Sequence, residues 1–140
     1  MRISYKKIAA VLVVSIAVTA AMLLLPDEFK VSSDRMGMLY TIVSVVFSVC
    51  MGVACSLNLS KVKNNEFYRT LKDSCLAVRD TSICLFVAAT FLWLASESVR
   101  QYWVIVFSYS FNLLTLLYFV VNFRILQNLN YEIEDRSRGL

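Results

Sequence analysis

Residues 36–59 read MGMLYTIVSVVFSVCMGVACSLNL, and this stretch decides the fold. It contains no Asp, Glu, Lys or Arg, and its apolar residues do not alternate with polar ones. A helix needs about 20 apolar residues to cross roughly 30 Å of hydrocarbon. Three more blocks of the same kind, 8–25, 81–97 and 102–123, flank it. Of these only 81–97 ends on a charge, Glu97, and its length is nearer the lower limit. Only helices and closed barrels satisfy their backbone groups in lipid, and continuous apolar blocks exclude the barrel. The sequence therefore predicts an all-α membrane protein, a four-transmembrane-helix bundle in a single domain of 140 residues.

The basic residues set an orientation. Eleven of the fourteen Lys and Arg lie before the first span, in segment 60–80 or in the tail 124–140, leaving only Lys30, Arg35 and Arg100 on the other side. Both termini are thus expected to be cytoplasmic, in a prokaryotic inner membrane. This bias accounts for the net charge of +4, so no direct nucleic-acid binding is expected. Arg2, Lys6 and Lys7 followed by an apolar run and Val18-Thr19-Ala20 also fit a secretory signal. The run continues to Leu25, which favours a retained helix.

Segment 60–80 is the only sizeable polar connection. It lacks Gly and Pro, and Asn64-Asn65 offers a helix cap. Phe67, Leu71, Cys75 and Val78 recur at helical spacing, so the third helix is expected to start near Glu66 and project from the membrane. Its apolar stripe either packs on a neighbouring helical extension or meets a partner. The residues expected to dock a soluble cytoplasmic protein are Lys61, Lys63, Phe67, Arg69, Leu71, Lys72 and Arg79. Leu126, Leu129 and Ile133 extend the fourth helix in the same way. Tyr40, Trp93, Tyr102 and Trp103 fall near the outer boundary, where amphipathic rings are favoured.

Two polar patterns lie inside the spans. Ser44, Ser48, Gly52, Ser56 and Ser60 recur at every fourth position, the spacing that lets helix backbones approach. Each such step over-rotates the helix by about 40°, so the column winds through roughly 160°. Its centre, Ser48-Gly52-Ser56, suits one close helix contact, and its ends need other helices or a second subunit of a homo-oligomer. On the fourth span Ser108, Asn112, Thr115 and Asn122 share a face, expected to make an interhelical hydrogen bond, fix a subunit interface or line a path. Apart from Glu97 at the edge of 81–97, the spans contain no Asp, Glu, Lys or Arg and the chain has no His, which excludes the usual coupling groups of carriers and the chemistry of intramembrane proteases. The four cysteines match no metal spacing. No catalytic, cofactor-binding or metal-ligating residue is expected, and an enzyme is not.

The layout of four spans, inward termini and a helical inner segment at 64–79 resembles the small four-span membrane subunit of Kiwa-type antiphage defence systems. That resemblance implies a homo-oligomer that perceives phage-induced membrane disturbance and works with a soluble effector. The alternative is a small homo-oligomeric pore, and after that a small transporter.

Overall fold

The computed structural model describes residues 4–24, 31–56, 65–99 and 101–138. Among them are four helices and no strand: α1 (Tyr5–Leu23), α2 (Ser33–Ser56), α3 (Asn65–Val99) and α4 (Tyr102–Arg138). Each is long and apolar enough to cross a membrane. The chain is an all-α, multi-pass bundle.

Local signals set the helix starts. The Ser4 carbonyl accepts from Lys7 and Ile8 N–H, and the Gln101 carbonyl accepts from Val104 and Ile105 N–H. Ser32 caps α2 twice, its carbonyl accepting from Met36 N–H and its hydroxyl from Arg35 N–H. Helix α3 starts at Asn65, one residue before the expected Glu66. Asn64, the other proposed cap residue, lies outside the described residues.

On each helix one series of covered positions advances by steps of three, four or their sum, seven. On α4 they are Ser108, Asn112, Thr115, Phe119, Asn122, Leu126 and Ile133, with half-buried Leu129 completing the series. On α3 they are Leu71, Ser82, Leu85, Ala89 and Ser96, joined by half-buried Cys75, Val78 and Leu92. Buried Met36, Leu39, Val43 and Cys50 on α2 follow by three, four and seven, as do half-buried Ile8 and Val11, buried Ser15 and half-buried Met22 on α1. A repeat of 3.5 residues keeps one stripe facing its neighbours in left-handed packing.

Helix α4 is the hub, packed against each of the other three, and α2 also packs on α3. Helix α1 leans chiefly on α4 and is the least covered. Leu39, Val43, Leu85, Ala89, Phe111 and Phe119 form the central core. Stacked rings join α2 to α3: Phe47 lies 4.1 Å from Phe86 and Tyr40 lies 4.5 Å from Trp93, centroid to centroid. The Tyr40 and Thr90 hydroxyls are hydrogen bonded at 3.0 Å. Tyr40 and Trp93 thus join two helices near the outer ends of α2 and α3. Trp103 is exposed, with its indole N–H donating to Gln101 Oε1.

These ring pairs also fix the levels. With Tyr40 beside Trp93 and Phe47 beside Phe86, α2 runs antiparallel to α3 and its end at Ser56 lies level with about residue 77. At 1.5 Å per residue, α3 and α4 (35 and 37 residues) run about 52 and 55 Å, some 20 Å more than a bilayer core requires. The surplus all falls at one end, where α1 begins and α2 stops. We call this the basic end. Leu71, Leu126 and Ile133 remain buried there, so the extension is a packed helix pair.

Candidate functional site: the polar seam and the basic end

The seam of α4 is polar in its first half. Ser108, Asn112 and Thr115 are fully buried and Asn122 nearly so. Asn112 Nδ2 donates to the Ser108 carbonyl at 2.9 Å, and Asn122 Nδ2 to the Tyr118 carbonyl at 2.7 Å. Both amides thus bond one turn back on their own helix. The interhelical hydrogen bond expected of Asn112 is not made by its N–H, because the nearest acceptor is its own backbone. Among the described residues, Asn112 Oδ1, Ser108 Oγ and Thr115 Oγ1 have no partner, and neither do Ser82 Oγ and Tyr118 OH toward the basic end. The facing side of α1 is polar too. Ser15 and Thr19 are buried, each hydroxyl donating at 2.7 Å to the carbonyl four residues earlier. Ser110 Oγ donates to the Val106 carbonyl at 2.9 Å and lies 3.6 Å from Met22 Sδ.

At the basic end a second polar cluster ties three helices together. Ser4 N–H donates to Thr81 Oγ1 at 3.0 Å, and the Lys7 ammonium lies 6.0 Å from the Tyr118 ring centroid. Asp80, Thr81 and Ser82 are buried side by side. Arg79 Nε and Nη2 both donate to Asp80 Oδ1, at 3.1 and 3.0 Å. A carboxylate taken out of water needs such a partner. The run Asp80-Thr81-Ser82 at the start of an apolar block was the available signal for this cluster. Sequence reasoning had treated it only as the edge of a span.

The residues expected to bind a partner divide into three groups. Arg69 and Lys72 are exposed on one side of the α3 extension, and Arg79 is exposed on the same side just below the level of the α2 end. Leu71 is buried in the bundle's own seam and is withdrawn from any docking surface, because its apolar stripe packs within the chain. Lys61 and Lys63 lie outside the described residues, as does the side chain of Phe67.

The small-residue column also differs from expectation. Ser48, Gly52 and Ser56 are exposed, and a Cβ built on Gly52 would meet nothing within 4 Å. The Ser44 and Ser48 hydroxyls donate back to the Tyr40 and Ser44 carbonyls, both at 2.9 Å, and Ser56 donates to the Val53 carbonyl. Within the chain α2 packs through Met36, Leu39, Val43 and Cys50 instead, on the face opposite the column. The column's centre makes no close contact inside the bundle. Ser60 lies outside the described residues.

Comparison with protein-family models, curated proteins and solved structures finds no match to this chain. Its functional reading therefore rests on its own geometry.

Proposed function

We propose that this protein is a non-enzymatic, homo-oligomeric protein of the prokaryotic inner membrane that anchors or senses there and docks a cytosolic effector at its basic end. In this reading both termini and segment 60–80 are cytoplasmic. The observation that carries it is the step at that end: α1 and α2 stop, while α3 and α4 continue as a packed pair with Arg69, Lys72 and Arg79 outside. A row of cations on one face of a rigid projection suits recognition of an acidic protein surface, because the helix holds them in fixed register. The outward part of the column, Ser48, Gly52 and Ser56, with half-buried Ser44 beside it, supports oligomerisation, since small residues let a second copy approach closely. In the setting implied by the antiphage resemblance, the stimulus is a phage-induced membrane disturbance and the docked protein is a defence effector.

The test is purification from mild detergent with determination of mass and companions. The proposal expects an oligomer whose co-purifying protein is lost when Lys61, Lys63, Arg69 and Lys72 are reversed in charge. A lone monomer would overturn it. A pore is the second reading, favoured by the unpartnered polar atoms on α4. It expects liposome conductance that falls in Asn112→Leu. Against it, Ser108, Asn112 and Thr115 are enclosed within one chain and offer no surface to an oligomeric path. A transporter would need a coupling group, and the interior of the spans supplies no Asp, Glu, Lys, Arg or His for one.

A further inference from the structure

At the step where α2 ends and α3 continues, a groove of about 350 Å³ opens between the two helices. Ala54 and Cys55 of α2 form one wall, and Tyr68, Lys72, Cys75, Leu76 and Arg79 of α3 form the other. Its cations are on the α3 side. Lys72 and Arg79 are seven residues apart, two turns, so they stand one above the other on a single face. The Lys72 ammonium lies 5.9 Å from the Tyr68 ring centroid, which directs that long side chain along the groove. Arg79 spends Nε and Nη2 on Asp80 Oδ1, leaving Nη1 for another acceptor.

The same α3 face continues away from the basic end with Ile83 and Val87, both exposed and both apolar. The groove thus has cations at its mouth, at the level where α2 leaves the bilayer, and a greasy track below. That order of polarity, read from outside inward, is that of a phospholipid. We propose that the groove is a binding site for the phosphate-bearing headgroup of an anionic phospholipid. Lys72 Nζ and the Arg79 guanidinium donate to its phosphate oxygens, and an acyl chain lies over Ile83 and Val87. Cations facing an anionic leaflet attract such lipids, each by about fivefold in affinity. The inference needs no docked protein, so its test stands apart from that of the proposed function.

Native mass spectrometry of the full chain in mild detergent, with equal amounts of phosphatidylglycerol and phosphatidylcholine, provides that test. The wild type is expected to retain phosphatidylglycerol in preference. Loss of both cations in K72Q/R79Q should lower its retention about tenfold, less than the product of two fivefold terms because Asp80 already offsets part of the Arg79 charge. Retention should return in K72R/R79K and be unchanged in Arg124→Gln, which removes an exposed cation elsewhere. If losing Arg79 unsettles the bundle, as a shifted elution position would reveal, Lys72→Gln alone should still give a loss of about fivefold. Undiminished retention in Lys72→Gln and the double variant would overturn the proposal, and so would equal retention of the two lipids. Binding of inorganic phosphate with the same dependence on Lys72 and Arg79, and no preference for lipid, would assign the site to a free anion and overturn the lipid reading.

Discussion

A carboxamide oxygen buried without a donor costs about 1–3 kcal/mol. Asn112 bears that cost in the fully buried part of α4, next to two unpartnered hydroxyls at Ser108 and Thr115. Asn112→Leu keeps the branched shape and the number of side-chain heavy atoms and removes the unpaired oxygen. We expect it to raise the thermal midpoint in detergent by a few degrees, worth about 1 kcal/mol; a fall would mean that the amide has a partner within the native assembly. The ring pairs make the opposite case. Trp93→Ala deletes the partner of Tyr40 and should destabilise by about 3–5 kcal/mol, whereas Tyr40→Phe, which loses only the hydroxyl bond to Thr90, should cost about 1 kcal/mol. Comparing the two midpoints checks the ranking. That Asn112 faces inward was legible in the steps of four, three and seven that link Ser108 to Asn122. Its hydrogen bond was not, because periodicity fixes a direction from the helix axis but not which acceptor lies nearest. Tyr40 and Trp93 show the same limit: their composition favours an interface, and only the pairing of α2 with α3 turns them toward each other.

Helices α3 and α4 carry one seam through two solvents. Within the apolar blocks it mixes Ser82, Asn112 and Thr115 with Leu85, Ala89 and Phe119, and in the extension its buried members are Leu71, Leu126 and Ile133. Polar groups are confined to the spans because in lipid apolar contact gives little advantage and polar groups can add to packing, whereas in water apolar burial dominates. Leu71→Asp should therefore open the extension while sparing the spans. The expected readout is faster hydrogen exchange in 65–77 and 124–138, with 81–97 and 102–120 unchanged; uniform acceleration would contradict a separately packed extension. The sequence made this extension visible because Phe67, Leu71, Cys75 and Val78 keep helical spacing without a Gly or Pro to end it. It misled on α2. Ser44, Ser48, Gly52 and Ser56 have the spacing of a close helix crossing, but spacing is silent on which neighbour is meant, and inside the chain the opposite, bulkier face of α2 is used.

For the whole molecule, orientation is the first property to measure. Cys55 is exposed near the basic end and Cys50 is buried one turn away. With Cys55 as the sole cysteine, a membrane-impermeant maleimide should label inverted vesicles and leave intact spheroplasts unlabelled. Labelling from outside would reverse the assigned topology. A variant retaining only Cys50 should resist the reagent on either side. The arrangement around the hub also bears on how the chain is made. Helix α1 emerges first from the ribosome, yet it leans chiefly on α4, which emerges last. Helices α2 and α3 can zip together through their rings as soon as both are inserted, while the first span has to wait in lipid for its neighbour. Biogenesis thus closes head to tail, and a nascent chain halted after residue 99 should hold a paired α2–α3 hairpin beside a solitary first helix.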